Sequence, residues 1–187
     1  MLQGRSRAGT ARFVPVAITW IQTISGDVMA YFFHANEIAK SAVEIERKGR
    51  AFYMRLVSSA QNEKTAELFK YLADEEAKHE QIFQGLMDRL GTIELPAWAS
   101  QEEYSVYLES LIEGHALFSD ERMEKGMAAL QDEKDAIRMA MGFEKDTLLF
   151  FSEMENLVPE SERDAVRACK DEERQHLGRL QKMLNDL

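Results

Sequence analysis

Residues 74–79 read Asp-Glu-Glu-Ala-Lys-His, and residues 171–176 read Asp-Glu-Glu-Arg-Gln-His. Each stretch contains a Glu-x-x-His motif, which puts a carboxylate and an imidazole on one face of a helix, because residues three apart are neighbours there. Upstream of the two copies, at nearly the same separation, lie residues 46–53 (Glu-Arg-Lys-Gly-Arg-Ala-Phe-Tyr) and residues 144–151 (Glu-Lys-Asp-Thr-Leu-Leu-Phe-Phe). This repetition indicates duplication of a helical hairpin, with the two halves related by pseudo-two-fold symmetry.

Around these motifs, apolar residues recur at spacings of three and four, which is typical of amphipathic helices. The pattern predicts four long helices, over residues 36–60, 62–90, 132–157 and 160–185. Asn36 and Asn62 are the predicted N-caps of the first two helices. Gly91 follows the second helix, at the position where a glycine commonly ends one.

The two helix pairs are separated by a predicted crossover, residues 91–131. A capping box that starts at Ser100 predicts a short helix to about Ile112, and a further short helix is expected between residues 114 and 131. All prolines lie outside the long helices, and no alternating pattern favours a strand. The sequence therefore predicts an all-α fold, a four-helix bundle with a long crossover between helices two and three.

The chain has 187 residues, a length that suits one domain, which we assign to residues 29–187. Residues 1–28 differ in composition, because they hold three arginines and a single acidic residue whereas the rest is strongly acidic. We expect them to form an N-terminal extension outside the bundle, with Met29 as an alternative natural start. A secretion signal is the competing interpretation of this segment.

Acidic residues dominate the charge of the chain, with 33 Asp and Glu against 23 Lys and Arg and a formal net charge of -10. This balance argues against nucleic acid or an anionic membrane as a partner. Cys169 is the only cysteine, which excludes an internal disulfide and a Cys-x-x-Cys metal centre. A single cysteine fits a reducing compartment, and we expect a cytoplasmic protein.

Six ionisable residues interrupt the apolar stripes of the four long helices, at spacings of four or seven from core positions. They are Glu46, Glu76, His79, Glu144, Glu173 and His176. A buried, unpaired carboxylate is costly or becomes protonated, so four in one bundle require compensation. Two divalent cations would supply it, and Glu from two helices with Glu-x-x-His from the other two is the ligand set of a di-metal carboxylate bundle. In the alternative interpretation the stripes are misphased and these residues face water.

At these motifs the chain resembles the rubrerythrin branch of the ferritin-like superfamily, over roughly residues 29–187. The resemblance is carried by residues 46–53, 74–79, 142–146 and 171–176. It implies a ferritin-like bundle with two non-haem Fe ions, reduction of H2O2 or O2, an external electron donor and a homodimer. Carboxylate and imidazole ligands also suit Mn or Zn, and the resemblance favours iron. The implied ligand roles are terminal or bridging for Glu46 and Glu144, bridging for Glu76 and Glu173, and metal-capping for His79 and His176.

Two features depart from the family pattern. Full-length rubrerythrins carry a rubredoxin domain, which transfers electrons through a four-cysteine iron site. This chain has one cysteine, so we expect the reductant to come from another source. Rubrerythrins also place an additional glutamate one turn after the ligand of the third helix, where this chain has Thr147. The ligand set is therefore closer to a symmetric one of four glutamates and two histidines.

The leading functional hypothesis is a di-iron oxidoreductase that reduces peroxide or dioxygen. The alternatives are a ferroxidase or iron-handling protein, in which iron is the substrate, and a non-catalytic helical interaction module.

The sequence also predicts the environments of several residues outside the proposed ligand set. Tyr53 either donates a hydrogen bond to a ligand glutamate or only packs in the core. Cys169 is expected to be a small core residue. His34 and His115 are expected to be ordinary surface or packing residues. The glutamates expected to face solvent are Glu63, Glu75, Glu80 and Glu172.

Overall fold

The computed structural model describes residues 35–90, 101–115 and 119–187. These residues form six α-helices and no strand, which confirms the prediction of an all-α fold for this part of the chain. The helices are α1 (Ala35–Ser59), α2 (Glu63–Arg89), α3 (Gln101–Gly114), α4 (Asp120–Ala129), α5 (Glu133–Leu157) and α6 (Glu160–Asp186).

The four long helices pack as two hairpins. α1 lies along α2, and α5 lies along α6; the hairpins meet where α1 contacts α5 and α2 contacts α6. The two short helices belong to the crossover, and α3 contacts α5. This arrangement confirms the predicted four-helix bundle with a long connection between its second and third helices.

Side-chain caps fix the starts of α2 and α5. Asn62 caps α2 as predicted, because its side-chain oxygen accepts a hydrogen bond from the backbone N–H of Lys64 at 2.9 Å. Asp132 caps α5 by accepting from the N–H of Asp135 at 2.9 Å. The Glu133 carboxylate accepts from the N–H groups of Gln61 and Asn62, which ties the turn of the first hairpin to the start of the second.

Several predicted boundaries are corrected by the structure. Asn36 lies inside α1 and not at its N-cap, since the helix begins at Ala35. The first crossover helix ends at Gly114, and the second is bounded by the N-cap Ser119, whose hydroxyl accepts from the N–H of Arg122. Residues 1–28, His34, Gly91 and Ser100 lie outside the described residues.

The crossover helix α4 is tied to α1 by charged pairs on the surface. Lys48 donates to Asp120 at 2.7 Å, and Arg55 donates to Glu124 at 2.6 Å. Exposed pairs of this kind contribute little stability individually. Because Lys48 and Arg55 lie two turns apart on the same face of α1, the two pairs together fix where α4 lies. No helix in the described part of the chain is long and apolar enough to cross a membrane.

Gly49 lets α1 approach α5 closely at the centre of the bundle. A Cβ added to Gly49 would lie 2.5 Å from Cζ of Phe143 and 3.4 Å from the carboxyl carbon of Glu76. Phe143 is fully buried, and its ring packs against Phe52 and Tyr53, so it has little freedom to move aside. The glycine is therefore a packing requirement of this fold.

We predict that Gly49→Ala lowers the free energy of unfolding by about 1–3 kcal/mol, because the added methyl overpacks the core. Gly178→Ala is the matched control: this glycine also lies in a helix, but nothing approaches its Cβ position within 4 Å. There alanine should stabilise by about 1 kcal/mol through its helix propensity. Chemical denaturation measures both changes, and a stabilised Gly49→Ala would contradict the close approach.

Candidate metal centre

The six residues that interrupt the apolar stripes meet in the middle of the bundle. α1 and α5 each contribute one glutamate, and α2 and α6 each contribute a Glu-x-x-His pair. All six side chains are buried, with at most 1% of each residue exposed, which excludes the interpretation that they face water. The residues brought together are Glu46, Glu76, His79, Glu144, Glu173 and His176.

Their ligand atoms form two overlapping groups, within each of which all atoms lie within 4.8 Å of one another. The first group contains Glu46, Glu76, His79 and Glu173, and the second contains Glu76, Glu144, Glu173 and His176. Two glutamates, Glu76 and Glu173, therefore belong to both groups. This is the placement that two neighbouring cations with shared carboxylates need.

Both histidines turn the same ring nitrogen to the centre. Nδ1 of His79 lies 2.9 Å from Oε1 of Glu173, and Nδ1 of His176 lies 3.0 Å from Oε2 of the same glutamate. Each imidazole is also 3.7 Å from one of the unshared glutamates, Glu46 or Glu144. Glu173 thus offers one oxygen to each half of the centre.

Most polar atoms of the centre lack a protein partner. Among the described residues, the buried side-chain atoms without a hydrogen bond all belong to this cluster, and they include both carboxylate oxygens of Glu46 and of Glu76. Burying such atoms without compensation costs several kcal/mol, so native proteins rarely do it. Six hard or borderline donors with unused lone pairs fit a pair of divalent cations, which would satisfy these atoms.

Burial and the neighbouring charges also shift the pKa values of the four glutamates in the centre. Burial raises the pKa of Glu46, Glu76 and Glu144 above the usual carboxyl range, and neighbouring negative charges raise the last two further. Burial would also raise the pKa of Glu173, but the neighbouring Glu144 and both histidines outweigh it and lower the pKa. Without cations the centre therefore retains protons at neutral pH.

Tyr53 is attached to this centre by a hydrogen bond. Its hydroxyl donates to Oε1 of Glu144, and its ring packs against Phe143 and Phe69. Burial, and then the charge of Glu144, raises the pKa of Tyr53 well above its usual value, so the hydroxyl keeps its proton. Of the two alternatives for this residue, the hydrogen bond to a ligand glutamate is the one found, and core packing accompanies it.

One contact of the centre is not visible in the sequence pattern. Nε2 of His79 lies 2.7 Å from Oε2 of Glu172, a residue expected to face solvent. The Glu172 side chain is 46% exposed, so it reaches the buried imidazole from the edge of the bundle. A carboxylate on the far nitrogen of a metal-binding imidazole fixes its tautomer and orientation. The only signal for this role is that Glu172 immediately precedes a predicted ligand.

Glu75 is a second departure from expectation. It was predicted to face solvent, but only 9% of the residue is exposed. Its carboxylate accepts a hydrogen bond from Lys78 at 2.6 Å. The prediction is wrong because packing covers most of the Glu75 side chain, of which 12% is exposed.

His115 and Cys169 are packing residues, as expected. His115 is buried, its Nε2 lies 3.1 Å from the hydroxyl of Thr147, and burial lowers its pKa to about 4, so the ring is neutral. Thr147 follows Glu144 by one helical turn. At this position α5 therefore presents a neutral hydroxyl paired with the neutral His115 ring, and not a further carboxylate. Burial raises the pKa of the Cys169 thiol to about 12, so it stays protonated.

Comparison with known proteins agrees with this geometry. The family model described as rubrerythrin matches residues 37–184. The chain belongs to the rubrerythrin family. Among solved structures it is similar to a protein of Thermotoga maritima assigned to the ferritin-like diiron-carboxylate proteins, with a TM-score of 0.59 and 21% identity, over 82% of this chain and 96% of that chain. At this identity the likeness concerns the fold.

No curated protein sequence gives a significant match. The predicted family is confirmed, and a cluster that can hold two metal ions is consistent with a di-iron protein. The assignment of each of the six residues as a ligand stays a prediction.

We predict that the affinity for divalent cations rises with pH, because cations must displace the protons that the centre retains. His176 illustrates the sign: burial would lower its pKa, but Glu144 and Glu173 raise it from 6.5 to about 10. The stability that this proton supplies to the cation-free protein is fully present below pH 6.5 and is lost as the pH rises toward 10.

Thermal unfolding with chelator or with Mn(II), from pH 6 to 9, measures this dependence. The increase in Tm caused by Mn(II) should grow with pH. An increase that is constant or that shrinks with pH would contradict proton displacement from the centre.

Proposed function

We propose that this rubrerythrin-family protein is a non-haem di-iron oxidoreductase that reduces peroxide or dioxygen. The observation that carries the proposal is the enclosed cluster of four glutamates and two histidines with shared carboxylates. A bundle gains no stability from such a cluster unless cations occupy it, and family membership favours iron as the cation.

Each half of the cluster would hold one iron. His79 with Glu46 would hold the first, His176 with Glu144 would hold the second, and Glu76 and Glu173 would contact both. When bound, two ferrous ions would supply one electron each and become ferric, which together with two protons would reduce one H2O2 to two water molecules.

The chain's own residues orient and enclose the site. Glu172 holds the His79 ring, and the Tyr53 hydroxyl holds Glu144. Because the six residues are at most 1% exposed, bulky substrates cannot reach them without separation of the helices. A cavity of about 560 Å³, lined by Leu56, Phe69 and Glu133 among others, includes none of the six. Enclosure of this kind favours an oxidant as small as H2O2 or O2.

Electrons must come from outside the centre. The described residues contain one thiol, Cys169, which is buried and protonated, so we propose that an external donor in the cytoplasm returns the iron to the ferrous state. A homodimer, which family resemblance implies, stays a prediction.

Anaerobic loading with Fe(II) followed by H2O2 tests the proposal. We expect two Fe(II) per chain to be oxidised for each H2O2 consumed, the iron to stay bound, and a reductant to restore the reaction. Glu144→Gln should slow the oxidation at least about tenfold, because it removes a negative ligand from one metal. Stopped-flow absorption and iron analysis after gel filtration measure these quantities.

Glu63→Gln is the control, because Glu63 is exposed at the start of α2 and should leave the rate unchanged. Oxidation of many irons per chain with their release would instead indicate the ferroxidase or iron-handling alternative. An equal rate for Glu144→Gln and wild type would refute the proposed site.

A further inference from the structure

The two halves of the centre differ at the outer nitrogens of their histidines. Nε2 of His79 has Glu172 as its partner at 2.7 Å. Nε2 of His176 is buried, and within the described part of the chain it has no hydrogen-bond partner. Since Nδ1 of each ring faces the ligand cluster, Nε2 must carry the proton when Nδ1 binds a metal. His176 therefore presents a buried donor that needs an acceptor.

The internal repeat identifies the acceptor. Residues 171–176 match residues 74–79, so that Glu172, which contacts His79, corresponds to Glu75. Glu172 of α6 contacts His79 of α2. The pseudo-two-fold symmetry therefore predicts the equivalent contact between Glu75 of α2 and His176 of α6. Glu75 is mostly buried in spite of its charge, which fits a carboxylate that lies over a polar partner.

The spacing of residues along α2 indicates that Glu75 lies near His176. The rings of Tyr71 and His79 both lie against the His176 ring, with centroids 6.1 Å and 5.8 Å away. Glu75 lies four residues after Tyr71 and four before His79, so it occupies the same face of α2 between two residues that contact His176.

Lys78 is the partner that Glu75 has in this structure. Its ammonium donates to Glu75 at 2.6 Å, although the Lys78 side chain is 64% exposed. In the matching segment of α6 the residue three positions after Glu172 is Gln175, which offers no positive charge. Glu172 is thus free to reach its histidine, while Glu75 has a competing partner.

We propose that Glu75 is a positioning residue that accepts a hydrogen bond from Nε2–H of His176 when metal occupies the centre, and that Lys78 competes for it. This inference rests on the proposed metal centre. Occupancy of the second site is then coupled to the release of Lys78, so that the two sites differ in affinity although their ligand sets match.

Zinc, which is diamagnetic, allows a test by two independent readouts. We expect wild type to bind two Zn(II) and the imidazole N–H signals of His79 and His176 to exchange slowly in 15N-histidine spectra. Glu75→Leu should lose the signal of His176 and weaken one Zn(II) about tenfold. Glu172→Leu should lose the signal of His79. Glu75→Gln keeps an acceptor and should retain the His176 signal in part.

Lys78→Gln is the matched variant, because it gives α2 the residue that α6 has at this position. It should keep both signals and bind the weaker Zn(II) at least as tightly as wild type. Asp74→Asn, at an exposed neighbour that pairs with Lys70, controls for charge alone and should change neither readout. Circular dichroism of the zinc-free variants verifies that they fold.

Two results would overturn the inference alone, with the metal centre intact. One is two Zn(II) bound by Glu75→Leu with wild-type affinity and an unchanged His176 signal. The other is an equal loss of affinity in Lys78→Gln and Glu75→Leu, which would assign Glu75 to the ion pair. Absence of zinc binding in wild type would instead refute the proposed centre, and this inference with it.

Discussion

A carboxylate can be buried in a helical bundle only if its charge is compensated, and this bundle buries four around one point. Repulsion between like charges and loss of hydration both oppose the arrangement, as the raised pKa values of Glu46, Glu76 and Glu144 show. Two histidines alone cannot neutralise four ionised carboxylates, so without cations the centre retains protons. A pair of cations would supply the compensation, and the packing of the helices is what brings the six side chains together.

The rest of the fold holds these six side chains in place. Each of the four long helices contributes at least one side chain to the cluster, so that the cluster exists only when both hairpins pack against each other. Gly49 permits the close approach of α1 to α5, and Glu133 joins the turn of the first hairpin to the second. The six side chains are buried, with Tyr53 and Phe143 packed against each other beside Glu144, and burial strengthens the electrostatic interactions among them.

The sequence predicted the bundle and the six clustered residues because both depend on helical periodicity. Residues such as Glu144 and Phe151, seven apart, must share a face of the helix, and the repeat supplied the same pattern twice. Local capping was less predictable: Asn62 caps its helix, whereas Asn36 lies inside one. The position of a helix end depends on contacts that a periodic pattern does not contain.

The contacts around the centre could not be predicted from the sequence pattern, for a different reason. Glu75 and Glu172 lie outside the apolar stripes, yet Glu75 is mostly buried and Glu172 contacts the imidazole of His79. His115 lies between the two short helices of the crossover, so it belongs to no amphipathic helical pattern that would predict its contact with Thr147. Such contacts depend on the packing of one helix against another, which only the three-dimensional structure supplies.

Iron-edge anomalous diffraction from crystals of the Fe(II)-loaded protein tests the central claim most directly. The account predicts two peaks roughly 3.5–4 Å apart in the bundle, with Glu76 and Glu173 between them. One peak should lie beside Nδ1 of His79 and the other beside Nδ1 of His176. A bundle interior without iron, in which the six side chains bond only to one another, would contradict it.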